Sequence, residues 1–137
     1  NSTVTYTVKN LKASTSYKFR IRAYKTIGKS NQYSGYTNLT ANTNPTGVSK
    51  FKAKSTARTS ITLGWSKNTT AGSYEIQQYK GGKWVKITTI SKNSTTSYTV
   101  KNLKKNTSYK FRIRAIKKIG SSTQYSGYST ITVKTKK

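Results

Sequence analysis

Apolar and polar residues alternate through most of this chain with the two-residue period of β-strands. In 108–115, Tyr109, Phe111, Ile113 and Ala115 fall on one face, and Lys110, Arg112 and Arg114 on the other. Residues 60–66 alternate likewise, with Ile61, Leu63 and Trp65 on the apolar side. Residues 73–80 place Tyr74 and Ile76 on one face, with Tyr79 a further candidate. The Gly81-Gly82 pair then leads into 83–90, which carries Trp84, Val85, Ile87 and Ile90. Two glycines between alternating runs signal a hairpin. Residues 98–103 and 128–135 supply two more strands, and 48–54 a first one. Seven short strands within 46–137, without helical periodicity, predict an all-β sandwich of two facing sheets.

A long repeat divides the chain. The stretch 3–23, TVTYTVKNLKASTSYKFRIRA, recurs at 95–115 as TTSYTVKNLKKNTSYKFRIRA. The shift of 92 positions, as from Tyr17 to Tyr109, holds without gaps through QYSGY at 32–36 and 124–128. Of the first 45 residues, 30 match their counterparts. A period this long suits a whole small domain better than a solenoid unit. We therefore expect 48–137 to be one complete domain, 44–47 a linker, and 1–43 the closing half of a preceding domain. The linker region NTNPTG at 42–47 holds the chain's one proline, Pro45, and is short enough to favour a stiff array.

The segment Leu103-Lys104-Lys105-Asn106-Thr107-Ser108-Tyr109 resembles the Leu-x-x-x-Thr-x-Tyr corner of fibronectin type III domains. In that corner the Tyr hydroxyl bonds back to nearby backbone. Leu11, Thr15 and Tyr17 repeat the corner, and Trp65 sits where the family carries a core Trp on its second strand. The family's common Pro-Gly within the corner is Lys105-Asn106 here and Ala13-Ser14 in the other copy, which leaves the turn type open. The resemblance implies an immunoglobulin-like, seven-stranded β-sandwich over 46–137 and strands E, F and G of another over 1–43. It also implies a bacterial-type tandem array that is extracellular, either secreted or at the cell surface, and mostly architectural.

Strands E, F and G alone expose Tyr6, Val8, Tyr17, Phe19 and Ile21. Burying each is worth roughly 1.5–3 kcal/mol. Residues 1–43 therefore either continue a longer polypeptide or borrow strands A–C from another molecule, as a strand-complemented polymer would.

Charge changes the picture of partners. The chain carries 27 Lys and Arg against one acid, Glu75, for a net charge of +26. The basic residues are scattered along the strand pattern and do not form a block, so they read as charged strand faces. Lys110, Arg112 and Arg114, with Lys18, Arg20 and Arg22 in the first copy, form outward ladders on strand F. Lys80, Lys83 and Lys86 extend the ladder on neighbouring strands. Residues two apart on a strand stand roughly 6.6–7 Å apart. Such a row suits an anionic polysaccharide, a cell-wall polymer or extracellular nucleic acid, with Arg contacting oxyanions bidentately. A solvated face that keeps the array soluble is the competing reading. Glu75 is expected to face outward and to pair with Arg112 or Arg114. Tyr33, Tyr36, Tyr125 and Tyr128 are expected to pack where a strand enters the sheet, with stacking on sugars or bases as the alternative.

The chain has no His and no Cys, and a single carboxylate, which removes paired-acid catalysis and the usual zinc and calcium ligand sets. We expect no enzyme activity, no cofactor and no metal. No run is long and apolar enough to span a membrane. Loops at 117–124 and 25–32 are expected to join strands F and G, and neither carries Arg-Gly-Asp. Asn-x-Ser/Thr triplets at Asn1, Asn38, Asn68, Asn93 and Asn106 would be glycosylation acceptors in a eukaryotic secretory route. Two functions remain. One is a structural spacer or fibre module whose partners are neighbouring repeats of the same or an identical chain. The other is a cationic adhesion module for anionic polymers.

Overall fold

The computed structural model describes residues 3–137. Among these there are twelve β-strands and no helix. In chain order they are β1 (16–21), β2 (24–27), β3 (30–33), β4 (37–42), β5 (52–56), β6 (61–64), β7 (73–80), β8 (83–90), β9 (97–100), β10 (108–119), β11 (122–125) and β12 (129–134). All pairings are antiparallel.

Residues 48–137 form the expected sandwich. One sheet has the order β5-β6-β9; in the other, β8-β7-β10 continues to β12, with β11 pairing the far end of β10. Side-chain alternation brings the apolar face of each sheet to the centre. Ile61 and Leu63 come from β6, Tyr74 and Ile76 from β7, and Phe111 and Ile113 from β10, all fully buried. Trp65 follows β6 directly and meets Tyr74 edge-on, with ring centroids 5.5 Å apart. Val48, Val100, Leu103 and Ala115 close the core.

The corner forms in both copies. The Lys104 amide donates to the Tyr109 hydroxyl at 2.8 Å, and the Lys12 amide to Tyr17 at 2.8 Å. Thr135 closes each turn of the complete unit: its hydroxyl accepts from the Thr107 amide at 2.9 Å and donates to the Lys104 carbonyl at 2.7 Å. Thr43 makes the equivalent bonds with Thr15 and Lys12, at 3.0 and 2.6 Å. The turn left open by the missing Pro-Gly is now defined. Asn106 (φ 52°) and Ser14 (φ 53°) hold the left-handed conformation that glycine adopts without cost.

Four sequence expectations need correction. The segment between strands F and G was expected as a loop at 117–124 and at 25–32. It is instead a ladder, β10 with β11 and β2 with β3, so the complete unit has eight strands. Residues 6–11, the first-copy counterpart of the strand expected at 98–103, form no strand. The equivalent β9 pairs with β6, and the first copy has no counterpart of β6 to receive it. Tyr79 and Trp84 turn away from the core and meet edge-on, with ring centroids 5.3 Å apart. The first strand of the sandwich lies at 52–56, later than 48–54.

In the first copy β1 pairs with β4 alone, and β2 with β3. Tyr6, Ile21 and Leu39 are largely exposed, as expected of a sheet face without an opposing sheet. Tyr17 and Phe19 are partly covered and stack on each other at 6.1 Å.

The segment joining the copies is tied down. Pro45 is buried. The Asn68 side chain, 7% exposed, donates to the Thr46 and Gly47 carbonyls at 2.8 and 3.2 Å and accepts from the Thr70 amide at 2.9 Å. The Thr46 amide donates to the Thr70 hydroxyl at 2.9 Å. From the first copy, the Ser14 hydroxyl donates to the Thr70 carbonyl at 2.7 Å, and the Ser14 amide to the Asn44 carbonyl at 3.1 Å. This use of Asn68 removes it as a glycosylation acceptor in the folded chain. Asn1 lies outside the described residues.

Candidate functional site

The ladder residues lie on the outer face of the β8-β7-β10-β12 sheet. Strand register sets Arg112 between Gln77 and Thr130, and Arg114 beside Glu75. The Phe111, Ile113 and Ala115 side chains point into the core, so Lys110, Arg112 and Arg114 must point out.

Their guanidinium groups do not stand free in solvent. Arg112 lies between two rings, 4.3 Å from the Trp84 centroid and 3.8 Å from that of Tyr128. Arg114 lies 4.0 Å from the Tyr125 ring and 4.9 Å from Tyr128. The resulting column runs Tyr79, Trp84, Arg112, Tyr128, Arg114, Tyr125, alternating cation and ring beyond the first aromatic pair. Each partly desolvated cation–ring contact is worth about 0.5–2 kcal/mol. Lys110 sits beside the column, 5.8 Å from Tyr79 and 5.7 Å from Trp84.

Polar contacts fix the same groups from below. Arg114 Nη2 is 3.0 Å from Glu75 Oε1, the one ion pair among the described residues. The same oxygen accepts from Tyr128 at 3.0 Å and from Gln77 Nε2 at 2.7 Å. Arg112 Nε donates to Gln77 Oε1 at 2.8 Å. Glu75, expected to face outward in an exposed pair, is instead 8% exposed because the Arg–Tyr column roofs it; its ionic partner is Arg114. Burial pushes its carboxyl pKa up, but the Arg114 hydrogen bond, Tyr128, the Arg114 charge and Gln77 outweigh this and hold it below 4.5. Burial, with the carboxylate beside it, moves the Tyr128 hydroxyl above its ordinary value of 10.0.

The first copy repeats the column without the acid. Arg20 lies 4.1 Å from the Tyr36 ring, and Arg22 lies 3.8 Å from Tyr33 and 4.7 Å from Tyr36. Lys18 is exposed on β1. Lys80 and Lys83 face each other across the β7–β8 hairpin, and Lys86 pairs opposite Gln77; all three are exposed. Lys80 and Lys83, next in sequence to the outward Tyr79 and Trp84, fall on the opposite side of the hairpin and do not extend the ladder, and Arg112 and Arg114 are engaged within the chain.

The four tyrosines expected at the strand entry stack on arginines instead. Tyr33, Tyr36 and Tyr125 are 52%, 44% and 41% exposed, too open for core positions. Sequence reasoning missed this, although a signal was present. Arg20 precedes Tyr36 by the same interval as Arg112 precedes Tyr128, and both residue types persist where neighbours such as Tyr24 and Ile116 differ. The expected core Trp65 is buried beside Tyr74. Leu103 is buried under its corner, whereas Leu11 in the first copy is 36% exposed.

In an alignment 128 positions long that covers 88% of this chain, it is 33% identical to ephrin type-B receptor 2 of Coturnix japonica and of Gallus gallus. It spans 13% of the length of those receptors. The crystal structure of FN3tt superposes with a TM-score of 0.60 at 26% identity, covering 69% of this chain and 97% of FN3tt. The chicken CNTN1 FN1–FN3 domains share the fold at 20% identity and a TM-score of 0.56, covering 96% of this chain and 45% of theirs. The family model for the fibronectin type III domain matches residues 44–132, and the chain belongs to that family.

Proposed function

We propose that this chain is a non-catalytic spacer module of an extracellular tandem-repeat protein. In this reading residues 1–43 are the closing half of one domain and 48–137 a whole one. Its role is to hold neighbouring domains at a set distance and angle. The carrying observation is the stitched junction. Asn68 binds both carbonyls of Thr46-Gly47, and Ser14 reaches across from the first copy to Thr70. A joint held by several part-buried hydrogen bonds, each worth about 0.5–1.5 kcal/mol net, resists bending in a way a bare linker does not. The tandem fold of the CNTN1 segment, matched over 96% of this chain, supports the same layout.

The strand-F arginines serve this role as braces. Arg112 and Arg114 clamp β7, β8, β10 and β12 together through rings and through Gln77 and Glu75, and so stiffen the sheet. A polymer contact at these two residues would have to displace the contacts they already make.

The test is backbone 15N relaxation on the intact chain. The amides of Asn44, Thr46 and Gly47 are expected to be as rigid on the ps–ns scale as those of β7. Asn68→Ala is expected to loosen 44–47 while leaving β7 unchanged. Loop-like mobility of 44–47 in the unsubstituted chain overturns the spacer reading.

A further inference from the structure

One strand occurs twice in this chain with the same sequence and different neighbours. Residues 16–23 and 108–115 both read SYKFRIRA. In the complete unit the strand is paired on both edges, with β12 on one side and with β7 over 111–116 on the other. In the first copy 16–21 pair with β4, and among the described residues no strand pairs the opposite edge. Ile113 is fully buried, whereas Ile21 is 72% exposed. The apolar side of β1 faces an open groove of about 870 Å³ lined by Tyr6, Val8, Phe19, Ile21 and Leu39.

The paired strand shows what the free edge takes. β7 runs antiparallel to β10 and sets Glu75 opposite Arg114, Ile76 opposite Ile113 and Gln77 opposite Arg112. Shifted by 92 positions, that register puts an acid opposite Arg22, an apolar residue opposite Ile21 and an amide opposite Arg20. The two arginines already hold the ring contacts of their counterparts. Arg22 lies 3.8 and 4.7 Å from Tyr33 and Tyr36, and Arg114 lies 4.0 and 4.9 Å from Tyr125 and Tyr128. They lack the polar contacts from below, the Glu75 ion pair of Arg114 and the Gln77 bond of Arg112. This prepared geometry sets Arg20 and Arg22 apart from the other exposed cations of the chain. A second copy has one carboxylate side chain to offer, Glu75, and Arg114 holds it, so the acid has to come from other sequence.

We propose that the free edge of β1 receives an antiparallel strand over 19–24 from a preceding segment of the same polypeptide. That strand carries a carboxylate opposite Arg22, an apolar side chain opposite Ile21 and a hydrogen-bond acceptor opposite Arg20. Main-chain bonds along the edge supply affinity, and the alternate side chains supply specificity. The inference rests on the reading of 1–43 as the closing half of a domain, and adds the charge and register of the strand that completes it.

The test joins a second copy of residues 46–92 ahead of Asn1, so that Asn1 follows Lys92 as Asn93 does in the complete unit. The appended segment offers its Glu75 to Arg22. Hydrogen exchange at alternate amides of 19–24 is expected to slow at least about a hundredfold relative to the unextended chain. Glu75→Gln in the appended segment alone, or Arg22→Gln, is expected to return about tenfold or more of that protection, and the two together no more than either one. Three results overturn the proposal: no slowing at 19–24, independent effects of the two substitutions, or slowing in the unextended chain as its concentration rises, which marks a second copy as the occupant. Rigidity of 44–47 is measured in the unextended chain, so the spacer reading stands or falls separately.

Discussion

Glu75 offers an unusually clean perturbation because nothing else in the chain titrates near it. With one acidic side chain and no His, Glu75 is the one side chain that changes protonation between pH 7 and pH 2. Three donors converge on Glu75 Oε1, from Arg114, Tyr128 and Gln77, at 3.0, 3.0 and 2.7 Å. Removing one partner of a buried ion pair costs 3–5 kcal/mol, so with Arg114 partly open to solvent, Glu75→Gln is expected to cost about 2 kcal/mol at pH 7. The folded carboxyl is held below 4.5, so the unfolded chain takes up the proton first as pH falls. The Glu75 contribution is therefore full above the unfolded value and is lost as pH drops through the folded one. A single proton limits the slope to about 1.4 kcal/mol per pH unit. Urea unfolding of both proteins, followed by Trp fluorescence at fixed ionic strength, measures this directly. The two stability curves are expected to stand apart at pH 7 and to merge in acid, with Glu75→Gln nearly flat throughout. An equal acid decline in Glu75→Gln, or a flat unsubstituted protein from pH 6 to pH 2, refutes the roofed ion pair.

Three further outcomes follow from the same geometry. Tyr109→Phe removes the bond from the Lys104 amide and is expected to lower stability by about 1 kcal/mol in urea unfolding, whereas Tyr17→Phe leaves that transition unmoved because the first copy contributes nothing to the core. Asn68→Ala strips the junction of its bonds to Thr46, Gly47 and Thr70, and is expected to cost about 2–3 kcal/mol in thermal or urea unfolding. At Asn106, whose φ is 52°, a β-branched residue is disfavoured: calorimetry is expected to show Asn106→Val destabilised by about 1–2 kcal/mol and Asn106→Gly neutral or slightly more stable.

The strands, the repeat and the corner were legible in the sequence because each is a local pattern. Tyr109, Phe111 and Ile113 alternate with basic residues, and a period of two leaves a strand little choice of face. The column on the outer face was not legible, because it depends on which strands become neighbours. Arg112 meets Trp84 and Tyr128 only because β10 lies between β7 and β12 and β8 lies beyond β7. Glu75 looked like an exposed acid for the same reason. Its surroundings come from β10 and from Tyr128 just before β12, 53 residues from Glu75 in sequence.

The two copies separate what sequence dictates from what neighbours dictate. Nearly the same residues form the corner, the hydroxyl bond of Tyr17 or Tyr109 and the arginine–tyrosine stack in each. The Ser34 and Ser126 hydroxyls even accept the Ala23 and Ala115 amides at 2.9 and 2.8 Å. Those features need only strands F and G, and both copies have them. The copies part where a third strand is needed. In the complete unit β10 runs unbroken through Arg114 and Ala115 because β7 pairs with 111–116. In the first copy the ladder breaks at Arg22 and Ala23, and Tyr6 and Val8 form no strand. Supplying a counterpart of β6 and β7 against 3–43 should therefore restore both at once.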